Sequence, residues 1–268
     1  MKILRLRIQK AAPIFLVAAL LGLFILSAQK NVFVGMYETA ALRLDPSAAR
    51  AASYGDRHFD AQNLAAYDIE RAEYFFGRAL ALDSRYPNLQ HQLARIAFLR
   101  SDFGIALARI NIELANNPQP SPSSYYVRGL IEGYMGLYDG AAKDYERYLQ
   151  SDPNNWAALN DYAWVLLKVG RSADAAVATE RGLGYFPDNA WLLNTSAIAL
   201  YEIGDLPLAR IRAEAATAAS GAVTEEEWLL AYPGNDPKIA KDGIASLQKS
   251  SRDNMHTILL ALASSTIQ

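Results

Sequence analysis

The 268-residue sequence contains no cysteine. That excludes disulfides, lipid attachment at a mature N-terminal cysteine, thiolate metal sites and cysteine catalysis. Only three histidines occur, and His58, His91 and His256 fall in different predicted elements without metal-ligand spacing. No H-E-x-x-H, G-x-S-x-G or phosphate-loop motif is present. Gly182-Leu183-Gly184 closes a predicted helix and has no strand before it, so it is not a dinucleotide turn. Acidic pairs such as Asp139 and Asp144 sit on amphipathic helices and read as solvated faces. Nothing in this inventory supports enzymatic chemistry, a cofactor or a metal. Positive charge is also scarce where nucleic acid would need it. Four of the 26 bases stand in the first ten residues, leaving 22 against 28 acids in the rest of the chain. The expectation is a non-enzyme with no nucleic-acid partner.

What is present begins with a long apolar run. Lys2, Arg5, Arg7 and Lys10 precede residues 11–28, AAPIFLVAALLGLFILSA, which carry no charge. As a helix this run spans about 27 Å, near the thickness of a bilayer's hydrocarbon core. Residues 1–30 are therefore expected to form a basic segment and a single transmembrane anchor through the lipid bilayer. The N-terminus would stay inside and the rest of the chain would stand outside the cytoplasmic membrane of a bacterium-like cell. The alternative is a signal peptide and export after cleavage. Against cleavage stand the bulky Leu26 before Ser27-Ala28, and the Lys30 and Val32-Phe33-Val34 that follow.

Residues 31–52 are expected to be a helical spacer broken at Asp45-Pro46, since proline disfavours helix in the residue before it. A repeat then sets in. Trp156–Asn189 reads as two short helices joined at Gly170 and stopped by Pro187, with Leu159, Tyr162, Ala163 and Leu166 on one face. Ala175, Ala178, Thr179 and Leu183 share a face of the second helix. Leu193, Ala197, Leu200, Gly204 and Ala209 repeat the offsets in the next 34 residues. Working outward, residues 53–223 divide into five units: 53–86, 87–121, 122–155, 156–189 and 190–223. Small residues recur in the first helix at Ala94, Gly129, Ala163 and Ala197, with Asp60 departing in the opening unit. Alanine recurs early in every second helix, at Ala72, Ala106, Ala141, Ala175 and Ala209. Small side chains there let two helices approach closely. Pro118, Pro153 and Pro187 follow three of the second helices, and Ser84 and Gly221 stand in their place at the two ends.

This pattern resembles the tetratricopeptide repeat (TPR) superfamily, and with the apolar N-terminus it resembles single-pass, membrane-anchored bacterial TPR proteins. The period matches a two-helix unit of 34 residues. A pentatricopeptide array shares the period, but it binds RNA and is typically basic. The resemblance implies an all-α solenoid, a right-handed superhelix of helix–turn–helix units, in which the first helices line a concave groove. Transferred by offset, the groove positions are His91, Arg95, Phe98, Tyr126, Tyr134, Asn160, Trp164, Lys168, Trp191, Asn194, Tyr201 and Glu202. Aromatic side chains provide large contact area at low entropic cost. Asn160 and Asn194, at one offset in successive units, are placed to bond an extended peptide or to make local backbone bonds. Trp164 and Tyr201 are equally readable as core between helices. The resemblance thus implies a scaffold that binds a protein or peptide partner. The alternative is a permanent structural subunit of an envelope or secretion complex, or a self-assembling protein.

The repeat stops after Gly221. Residues 224–268 are expected to form capping helices: one from Thr224, where Glu227 completes a capping box, one from Asp236-Pro237, and a last segment over Asn254–Ala263. Such a tail covers the open edge of the final repeat or enters a neighbouring molecule's groove.

Overall fold

The structure, a computed structural model, describes residues 33–117, 119–232 and 235–265. Those residues form helices and turns, with no strand among them. A first helix, α1, covers residues 33–44. It is followed by α2 (Ala48–His58), α3 (Ile69–Leu82), α4 (Leu89–Leu99), α5 (Phe103–Asn116), α6 (Pro122–Tyr134) and α7 (Tyr138–Ser151). Then come α8 (Trp156–Lys168), α9 (Ser172–Leu183), α10 (Ala190–Glu202), α11 (Leu206–Ala222), the short α12 (Glu225–Ala231), a single 3-10 turn (Pro237–Ile239) and α13 (Ala240–Ser265).

The helices start where side chains can satisfy orphan N–H groups. Asp68, Asn155, Asn189 and Asp205 each accept the N–H three residues on, as N-caps do. Within the last four units the first helix turns into the second through a residue in the left-handed region. That residue is Ser101 in α4–α5, and Gly136, Gly170 and Gly204 in the next three. Only glycine adopts this conformation without a steric penalty, so the serine carries strain that the glycines do not.

Paired helices α2/α3, α4/α5, α6/α7, α8/α9 and α10/α11 stack in series, and α4, α6, α8 and α10 lie side by side. The alanines early in the second helices, Ala72, Ala106, Ala141, Ala175 and Ala209, are all fully buried. So are Ala94, Ala163 and Ala197 of the first helices, and a Cβ on Gly129 would press on the Tyr145 ring at 3.2 Å. The core is therefore a row of close helix–helix crossings with Phe75, Phe76, Ile110, Tyr145, Leu159, Leu166 and Leu192 between them.

Three expectations are corrected. The opening unit begins inside the expected spacer, because Ser47 caps α2 just after the Asp45-Pro46 break. The stretch from Ser53 to His58 lies in α2, whose Ala51, Ala52 and Gly55 are buried. Its small residue is Gly55, not position 60: a Cβ there would collide with Phe76, and the shift is taken up by residues 59–68. Helix α11 runs through Gly221 to Ala222. The two C-terminal helices are one. No proline interrupts Ala240–Ser265, and Leu247, Ser251 and Ile258 share its buried stripe. This α13 packs on both α10 and α11, the place a sixth first helix would take. Ile258 lies among Ala197, Leu200, Ala209 and Ala213.

At the other end, α1 is held by charge. Glu38, 1 % exposed, contacts His58 Nε2 at 2.8 Å and accepts from Arg57 Nη1 at 3.1 Å. His58 Nδ1 donates to the Ala66 carbonyl at 2.8 Å, which fixes the imidazole between α1 and the 59–68 connection.

Candidate partner-binding face

The twelve residues expected along the groove separate into two zones. Phe98, Tyr134, Trp164 and Lys168 come together toward the C-terminal ends of α4, α6 and α8. Phe98 meets Tyr134 edge-on at 5.1 Å, and Tyr134 meets Trp164 at 6.5 Å. The Lys168 ammonium lies 5.3 Å from the Trp164 ring centre, within cation–π range. Two aromatics that were not on the expected list complete the ridge. Phe103, first residue of α5, touches Phe98 and Tyr134, and Tyr138, first residue of α7, meets Trp164 at 6.0 Å. Two of the four tight turns, at Ser101 and Gly136, therefore add a ring from the helix they open, a signal legible in the sequence as an aromatic two residues after the turn residue. The Trp164 indole lies over Gly133 of α6, at the distance where an added Cβ would just touch it. The ridge remains open: Tyr134 is 64 % exposed and Trp164 37 %.

The second zone is a basin built around a carboxylate. Asp161 Oδ2 accepts from the Tyr126 hydroxyl at 2.7 Å, and Oδ1 from Asn160 Nδ2 at 3.2 Å. Tyr126 also stacks against Tyr145 and Tyr148. Although part of Asp161 still reaches solvent, desolvation by this surrounding pushes its carboxyl up to about 6, against the lowering effect of its two hydrogen bonds. Burial raises Tyr126 well above the usual phenol range, with the Asp161 charge adding to it. Asn160 Oδ1 accepts from Thr195 Oγ1 at 2.8 Å. Asn194 donates to Ser250 Oγ at 3.2 Å and accepts from Asn254 at 2.9 Å. Both amides thus bond side chains of neighbouring helices.

The remaining positions are similarly engaged. His91 is buried, with Nδ1 3.0 Å from Ser124 Oγ, and burial lowers its imidazole to about 4. Arg95 lies 4.7 Å above the Phe59 ring and donates to Gln92. Trp191 packs on Trp156 at 5.3 Å and on Tyr232 at 6.0 Å. Tyr201 packs beside Leu200 and Ile258, and the exposed Glu202 accepts from Ser172. Asp144, read as solvated, is instead buried and takes two hydrogen bonds from Arg128, at 2.5 and 2.8 Å. Among the described residues no group of acids and histidines could hold a metal. Nor is any described helix long and apolar enough to cross a membrane. The expected anchor at 11–28 and Pro118 lie outside the described residues.

Three comparisons bear on this arrangement. A tetratricopeptide-repeat family profile matches residues 144–176, which run from within α7 across α8 into α9. YrrB, a TPR protein with an unusual peptide-binding site, superposes with a TM-score of 0.58 at 14% identity, covering 69% of this chain and 93% of its own. The chain folds as a tetratricopeptide-repeat solenoid. MamA is similar too, with a TM-score of 0.55 at 15% identity over 69% of this chain and 94% of its own. In sequence, Protein FlbA of Caulobacter vibrioides is 28% identical over 138 residues, 52% of this chain. The match spans only 23% of that relative's length. In this TPR solenoid the aromatic ridge and the Asp161 basin are adjacent parts of one surface, the one lined by the first helices.

Proposed function

We propose that this chain is a binding scaffold that holds an extended segment of a protein partner on its first-helix surface, with the aromatic ridge as the main grip. The observation that carries the reading is the open run Phe98–Phe103–Tyr134–Trp164–Tyr138 with Lys168 over one ring. Adjacent rings half in water are what partner binding buries with most gain, and tryptophan and tyrosine dominate such hot spots. The likeness of fold to YrrB, with its peptide-binding site, supports a peptide as the bound form. The basic N-terminus and uncharged run at 11–28 support tethering of this scaffold to the cytoplasmic membrane, with its repeats outside.

Photo-crosslinking in native membranes tests this reading. A photoreactive residue at position 164 is compared with one at the 71 % exposed Val177 of α9. A discrete foreign band from position 164 alone supports it; equal bands, or none, reject it. A second reading, permanent packing inside a larger assembly, is favoured by α1. There Phe33, Met36, Tyr37 and Leu44 are exposed, beside a cleft of about 660 Å³ lined by Met36, Leu44, Tyr74 and Phe75. That reading predicts a band from position 37 that survives high salt.

A further inference from the structure

The two zones differ in cover, and the cover belongs to the chain itself. Between α11 and α13 the chain does not turn directly into the sixth first helix. It makes the short helix α12, whose Trp228 is 4 % exposed. Its indole occupies the space a Cβ on Gly243 of α13 would need. From this anchor, Tyr232 reaches the first-helix surface. Its ring stands 4.9 Å from Trp228 and 6.0 Å from Trp191. The charge of Asp161 and the neighbouring Tyr134 both raise its phenol, after burial.

A chain that only capped the fifth repeat would need α13 alone. We infer that Tyr232, anchored by Trp228, is an internal ligand of the groove, and that its external ligand is an extended peptide carrying an aromatic residue, which must displace Tyr232. This deepens the proposed peptide-binding function and rests on it: the ridge stays open as a first foothold, and the basin is uncovered only on exchange. The basin suits such a peptide. It offers Trp191 for an edge-to-face ring contact and, in Asp161, an acceptor for a phenol or indole N–H.

The test uses the full chain and, as probe, a fluorescent peptide copying residues 228–238, WLLAYPGNDPK, followed by anisotropy. A groove occupied by its own segment nine-tenths of the time weakens external binding about tenfold. The Tyr232→Ala chain is therefore expected to bind the probe at least about tenfold more tightly than the unaltered chain. A Tyr→Ala version of the peptide should lose that gain. Equal affinity for both chains, or binding to neither, overturns the inference. Circular dichroism checks that the variant is folded. A second measurement needs no variant in the segment: with 5-fluorotryptophan incorporated, the Trp228 resonance of the unaltered chain should move toward a solvent-exposed shift at saturating probe. If the probe binds and that resonance stays, the peptide sits elsewhere and the inference fails. The parent reading fails separately, by absence of a partner band from position 164, because that experiment needs no exchange in the basin.

Discussion

The ridge and the basin are built from different offsets of the same first helices, and they differ in what faces them. Tyr134 and Trp164 keep much of their surface in water, Tyr134 at the border where it neighbours Tyr232 and Asp161, whereas Trp191 packs on Tyr232 and Tyr126 bonds Asp161. The repeat decides that a large side chain projects from a first helix. What the chain does after its last repeat decides whether that side chain is a binding surface or part of the interior. A groove list transferred by offset is therefore a list of positions, and function needs the additional knowledge of what already lies across them.

The largest expected contrast between the zones is in stability. Trp228→Ala removes a buried indole and should cost about 3–5 kcal/mol in urea denaturation. Trp164→Ala, on the open ridge, should cost less than about 1 kcal/mol. Comparable losses would erase the distinction between the two zones.

The next contrast is in pH. Asp161 titrates near 6 in the folded chain, above an ordinary aspartate, so the folded state holds the proton more tightly. Its contribution to stability is complete below about pH 4 and is lost as pH rises through 6. A shift of about two units corresponds to at most roughly 3 kcal/mol. His91, lowered to about 4, acts in the opposite sense: its contribution is present above about 6.5 and is lost as pH falls through 4. The two oppose each other in the same window, so the unaltered chain should show a shallow stability profile between pH 4 and 6.5. Asp161→Asn should expose a clear loss on acidification in melts across that window, and a profile unchanged by the substitution would contradict the enclosure of the basin.

On the ridge the effects belong to binding. Trp164→Ala should weaken capture of the partner found at position 164 by about 2 kcal/mol, roughly thirtyfold. Lys168→Gln should cost about 0.5–1 kcal/mol, the size of an exposed cation–π contact. Titration of the purified partner checks both, and the order should hold; a larger effect from Lys168 would mean that charge, not the ring surface, carries recognition.

Much of this fold was legible because its code is local and repeated. Ala72, Ala106, Ala141, Ala175 and Ala209 mark helix crossings whose geometry depends on residues within one unit, and all five are fully buried. The ridge was half legible: offsets gave Phe98, Tyr134, Trp164 and Lys168, while Phe103 and Tyr138 belong to the second helices, where no groove rule looks. The basin was legible only as positions. Tyr126 meets Asp161 across a unit boundary, and Tyr232 meets Trp191 from outside the repeats, so no periodicity records either encounter. Asp144 looked solvated because the guanidinium that buries it comes from Arg128 on the preceding helix. The opening unit escaped the register because residues 59–68 lengthen its connection, and α13 was divided because its stripe passes through the polar Ser250-Ser251 and Asn254.

The central claim is that the chain's own segment closes one half of a surface whose other half is open. Intramolecular photo-crosslinking from position 232 tests it most directly: p-benzoylphenylalanine replaces Tyr232 in the full chain, and crosslinked peptides are mapped by mass spectrometry. The account predicts intrachain products to residues 190–202 and 156–168. Products confined to α12 and α13, or no intrachain product, would show that the basin lies open to solvent and would contradict it.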